Sequence, residues 1–124
     1  MNEQASYIDT LSEITEQDYC DQMMANTLGR KWLIWHRENP AFFELFEQFT
    51  KEAIRAGHTQ LSGWLIINRV RWETDVVTTG DKYKISNNYV ALFARLFMIK
   101  YPEYIGFFKT KKMSSIPEDV FNPV

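Results

Sequence analysis

The chain has 124 residues, 45% of them hydrophobic and 24% charged, with a net charge of −2. That places it in the one-domain range, long enough to build a core without disulfide or metal staples, and too apolar for a disordered tail. Aromatic residues reach 15%, which calls for an unusually aromatic core or for rings on a binding surface.

Residues 1–30 read as an acidic N-terminal arm carrying one weak helix. Ile8, Leu11 and Ile14 are scattered among Glu3, Asp9, Glu13 and Glu16, with Ser12 as a cap and Gly29 as a stop. The globular domain follows over residues 31–109. Its first segment, residues 30–37, mixes Trp32 and Trp35 with Arg30, Lys31 and Arg37 in imperfect alternation, and reads as a short strand or an irregular segment.

Asn39 and Pro40 then open the clearest helix, since Asn caps well and Pro is pre-set for the first turn. Phe42, Phe46, Phe49 and Ala53 recur at helical spacing, and Gly57 ends the run. A second helix begins at Thr59 or Gln60 and reaches about Glu73. Leu61, Trp64, Leu65 and Trp72 mark one face, while Ile66, Ile67 and Val70 mark another. Apolar over most of its circumference, it is expected to be the central helix.

Residues 74–86 read as a β-hairpin, with Val76-Val77-Thr78 and Tyr83-Lys84-Ile85 flanking Gly80. Ser86, Asn87 or Asn88 caps a third helix with Tyr89, Leu92, Phe93, Leu96 and Phe97 on its stripe, ended by Pro102. Residues 104–109 read as a final strand pairing with the hairpin. Residues 110–124 read as a loose C-terminal tail. The fold expected is mainly α with a small β-hairpin and sheet, an α+β arrangement of three core helices like a winged helix with altered connections.

The landmarks Asn39-Pro40, Gly57, Arg69-Val70-Arg71-Trp72-Glu73-Thr74, Tyr83-Lys84-Ile85, Asn87-Asn88-Tyr89, Ala94-Arg95 and Phe107-Phe108 make residues 39–109 similar to a loose group of small uncharacterised proteins of bacteriophages and bacterial mobile elements. The resemblance implies a bacterial or viral setting, and with it regulators, DNA-associated proteins and inhibitors of host machinery rather than metabolic enzymes.

Charge is divided unevenly. Residues 1–50 carry −6, residues 51–112 carry +6, and the tail carries −2. A basic half offers a footprint for nucleic acid. On a winged-helix plan the third helix reads the groove through Asn88 and Arg95, while Lys82, Lys84, Lys109, Lys111 and Lys112 hold phosphates, and Arg69 and Arg71 are further candidates for the nucleic-acid surface. The leading expectation is therefore a non-enzymatic protein associated with double-stranded DNA. The alternative is a modulator or inhibitor of a bacterial protein, acting through an apolar helix surface and the acidic arm, with homodimerisation left open.

No HExxH, phosphate loop or GxSxG is present, and His36, His58 and Cys20 lie in separate segments, so neither catalysis, cofactor nor metal is expected. Cys20, the single cysteine, sits beside Asp18 and Asp21, which oppose thiolate formation. A lone thiol suits a reducing, cytoplasmic setting. The N-terminus lacks the pattern of a secretory signal, and no apolar run approaches the ~20 residues that span a membrane.

Overall fold

A computed structural model describes residues 14–77 and 85–109, and among these the protein is all-α. The five α-helices are α1 (Glu16–Met24), α2 (Thr27–Glu38), α3 (Pro40–Arg55), α4 (Gly63–Trp72) and α5 (Asn87–Lys100). A π-helical turn (Glu73–Val77) extends α4, and a 3₁₀ turn (Pro102–Tyr104) follows α5.

Each helix start has a local cause. Thr15 and Asp18 form a capping box: Thr15 Oγ1 accepts from the Asp18 N–H at 3.0 Å, and the Thr15 N–H donates to the Asp18 carboxylate at 3.3 Å. Asn26 Oδ1 accepts from the N–H groups of Leu28 and Gly29. Ser62 caps α4 through the Trp64 N–H, and Ser86 caps α5 through the Asn88 N–H. Pro40 occupies the first position of α3, where its missing N–H costs nothing. At the other end of α3, Gly57 takes φ +100°. The Gly57 N–H then reaches the Ile54 carbonyl and the His58 N–H the Ala53 carbonyl, which satisfies two of the terminal acceptors.

The α+β expectation is corrected on three counts. Residues 30–37 are helical, within α2, because Gly29, Trp32, Leu33 and His36 follow a 3.6-residue period rather than an alternation. The first half of the expected hairpin is the π-helical turn, where Thr74 Oγ1 donates to the Val70 and Arg71 carbonyls at 3.1 and 3.2 Å. Residues 78–84, the rest of that hairpin, lie outside the described residues. The expected final strand is the 3₁₀ turn followed by one parallel bridge, Leu61 to Phe108. Without a wing or sheet among the described residues, the winged-helix plan does not hold.

α5 is the central helix in place of α4. Every residue from Leu92 to Ile99 is buried, and α1, α2 and α4 all pack against it. Phe93 lies amid Trp32, Trp35, His36, Phe42, Phe43 and Phe46, with ring centroids 5.0–6.1 Å away. A second layer joins Phe46, Phe97 and Phe108. Most of the aromatic excess is therefore core. α1 belongs to that core as well: Tyr19 and Met23 are fully buried, and the Tyr19 hydroxyl donates to the Leu92 carbonyl at 3.0 Å.

Candidate functional site

Among the described residues, α4 packs with one face only. Its buried residues are Ile66, Ile67 and Val70. At about 100° per residue, the opposite face runs in the order Arg71, Trp64, Asn68, Trp72, Leu65, Arg69. Trp64, Leu65 and Trp72 are 38%, 54% and 59% exposed. They form an apolar strip with an arginine along each edge, and Trp64 and Trp72 stand about 12 Å apart along the axis.

The two arginines are held differently. The Arg69 guanidinium lies 4.2 Å from the Phe49 ring centre and bonds to Glu73 Oε2 at 2.8 Å. Stacking on α3 fixes its stem, and the surface ion pair is worth at most ~1 kcal/mol, so its charge stays available to another carboxylate. Arg71 is exposed.

The strip ends in a groove of about 460 Å³ between the start of α4 and α5. Val90, Ala91 and Ala94 of α5 line it, together with Leu61, Ser62, Gly63, Trp64, Asn87 and Lys109. Gly63 allows the two helices to approach: a Cβ there would stand 3.0 Å from Val90 Cγ1. A second hollow of about 400 Å³ lies near His58, Glu103 and Tyr104.

Among the residues expected to bind nucleic acid, Arg69 and Arg71 share the outer face of α4, and Lys109 lies at the groove beside it. Asn88 is half-buried in the first turn of α5, where its N–H takes the Ser86 cap. Arg95 is fully buried, because the helix expected to lie open in a DNA groove is surrounded by the other helices. Its guanidinium is thus not part of any surface. Lys82, Lys84, Lys111 and Lys112 lie outside the described residues.

An apolar helix surface was expected under the protein-binding alternative, without specifying which face of the helix or which of its residues would be exposed. The two apolar faces of α4 were distinguishable by spacing, and treating both as core hid the outer one.

A polar cluster joins α3 to the end of α5. Glu47 accepts from the Tyr101 hydroxyl and from Lys100 Nζ at 2.9 Å, while Lys51 Nζ donates to the Tyr101 hydroxyl at 3.0 Å. Its members satisfy one another and pin the C-terminal end of the core.

Two titratable groups have shifted pKa values beside the core. Burial, with help from Glu16 and Asp21 and against Arg37, pushes the Cys20 thiol up, so it stays protonated and unreactive near neutral pH. His36 stacks on Trp32 at 5.6 Å and meets Phe43 and Phe93 edge-on. Its Nδ1 is buried without a hydrogen-bond partner among the described residues. Burial lowers its pKa below 6.5, Arg37 and Lys100 add to the effect, and Glu47 opposes it.

The fold therefore favours neutral His36. Above pH 6.5 both folded and unfolded chains hold it neutral. Below that, the unfolded chain takes up a proton first, and stability falls until the lower folded pKa is reached. The urea midpoint of the wild type is expected to drop between pH 7.5 and 5 by more than that of His36→Phe. Parallel profiles for the two proteins would show that His36 does not drive the loss.

Among the described residues, no group of three or more His, Cys, Asp or Glu side chains could hold a metal ion, and no helix is long and apolar enough to cross a membrane. No family model, curated protein or solved structure matches the chain.

Proposed function

We propose that the protein is a non-enzymatic binding module whose α4 face docks an acidic amphipathic helix of a protein partner. One observation carries this reading: Trp64, Leu65 and Trp72 share an exposed strip edged by Arg69 and Arg71. Full burial of a large apolar side chain yields about 1.5–3 kcal/mol, and Trp64, Leu65 and Trp72, at 38–59% exposed, each forgo part of it. Trp and Arg also dominate the energetics of protein interfaces. An arginine on each edge selects a partner with apolar anchors on one face and carboxylates on both flanks.

This favours the protein-binding alternative over duplex DNA. The described residues hold ten basic and ten acidic side chains, and of the basic ones Arg95 is buried while Lys100 already holds the Glu47 carboxylate. Counterion release needs several uncompensated cations on one face.

The test pans a display library of randomised 16-residue helical peptides on the wild type, counter-selecting on Leu65→Ser/Trp72→Ser. Enriched peptides are expected to carry apolar anchors at helical spacing flanked by Asp or Glu, and to lose about 30-fold or more in affinity for the double variant. Enriched peptides that bind both proteins equally, or no enrichment at all, overturn the proposal. So would salt-sensitive binding of random 20-bp duplex that Lys82→Glu/Lys84→Glu/Lys109→Glu abolishes, which would return the DNA reading to first place.

A further inference from the structure

We infer that the groove beside Trp64 is a subsite for an apolar anchor side chain of that partner whose neighbouring residue is acidic. The inference rests on the docking role of the α4 face and specifies where the partner's end is held.

Three observations converge. The first is shape. α5 carries Phe, Leu and Met over most of its length, yet at the groove it presents the small Ala91 and Ala94 alongside Asn87 and Val90. These two small side chains leave about 460 Å³ open, within the range of pockets that seat compact ligand groups. That volume is enough for a leucine or phenylalanine side chain, against apolar walls from Leu61, Trp64, Val90, Ala91 and Ala94, with Gln60, Ser62 and Asn87 also lining it.

The second is charge. Among the described residues, no carboxylate lines the groove, and the one charged lining residue is Lys109. Chain pairing puts Lys109 there. The Leu61 N–H donates to the Phe107 carbonyl at 3.0 Å, Leu61 bridges Phe108 in parallel, and the following residues, Ser62 and Lys109, therefore run side by side. An apolar hollow edged by a cation fits an apolar group with an anionic neighbour better than a neutral or cationic one.

The third is continuity. Trp64 forms one wall of the groove and one end of the exposed strip. A helix lying along Leu65 and Trp72 arrives at the groove without turning away from the surface. The groove thus sets the register of the bound segment, and the strip supplies contact area.

The probe is the blocked dipeptide N-acetyl-Leu-Glu-amide, compared with N-acetyl-Leu-Gln-amide by NMR titration of the labelled full chain up to about 50 mM, where contacts of this size register. Shifts are expected at the Gly63, Ala91 and Ala94 amides and the Trp64 indole. The Glu probe should bind at least about threefold tighter than the Gln probe. Lys109→Glu should remove that difference, and Ala91→Leu, which fills the hollow from a half-buried position, should weaken both probes about tenfold.

Absence of shifts at these groups overturns the inference, as does equal binding of both probes or indifference to Ala91→Leu in a variant whose amide spectrum shows it folded. The outcome is separable from that of the docking role. Library peptides that need Leu65 and Trp72 but ignore Ala91→Leu and Lys109→Glu leave the α4 face standing and remove the subsite. Dipeptide binding without any library peptide does the reverse.

Discussion

Replacing Phe93 by alanine is expected to destabilise the protein by about 3–5 kcal/mol, with a fall in melting temperature on the order of 15 °C. Phe93 is fully buried on α5, and its ring is the one that Trp32, Trp35 and His36 of α2 share with Phe42, Phe43 and Phe46 of α3. Removing it costs the transfer free energy of a phenyl group. It also opens a cavity whose walls are large rigid rings, so the site collapses poorly and the cavity contribution stays high. Phe93→Leu retains most of the volume and is expected to lose less than half as much. Urea denaturation of the three proteins checks this. A Phe93→Ala loss under about 1.5 kcal/mol would mean that α2 and α3 do not depend on this ring for their seat on α5.

The sequence exposes local signals that do not depend on tertiary context. α3 is legible because Asn39-Pro40, the Phe42, Phe46 and Phe49 spacing and Gly57 all point the same way, and each is a property of the chain within a turn or two. Ser86, one of three residues expected to cap the last helix, does so for the same reason. α2 was obscured by its neighbour: once Gly29 is taken as a helix stop, the period that runs through Trp32, Leu33 and His36 loses its first member. Burial is the less legible quantity. α4 and α5 are both apolar, and which of them is central depends on how α1 and α2 pack. That is why Arg95 was expected in solvent and is buried, and why Trp64, Leu65 and Trp72 were expected inside and are exposed. The candidate site was thus half-readable. Arg69, Arg71 and Lys109 could be named from charge, but the apolar strip that groups two of them could be recognised only once the other face of α4 was seen to be the buried one.

Gly29→Ala is expected to detach α1 and to cost more than the helix gains from alanine. In an exposed helix interior the substitution would stabilise by roughly 0.5–1 kcal/mol. At this position a Cβ would stand 2.7 Å from the Met23 carbonyl oxygen, 2.8 Å from Met23 Cα and 2.9 Å from Met23 Sδ. Two of those three atoms are backbone, so rotating the Met23 side chain relieves only one contact. The turn through Ala25 and Asn26 is too short to absorb the displacement, because the Asn26 carboxamide is committed to the Leu28 and Gly29 N–H groups. α1 must then swing outward. Its buried Tyr19 and Met23 are drawn from the core, and the Tyr19 bond to the Leu92 carbonyl opens. Overpacking alone costs about 1–3 kcal/mol, and exposing two large side chains adds to it, so the balance is clearly unfavourable. Hydrogen exchange provides the check. Amides of residues 19–24 should lose protection in Gly29→Ala, while those of α3 and α5 keep most of theirs. Undiminished protection in α1, with a raised melting temperature, would mean that the helices can separate by the few tenths of an ångström required without losing their contact.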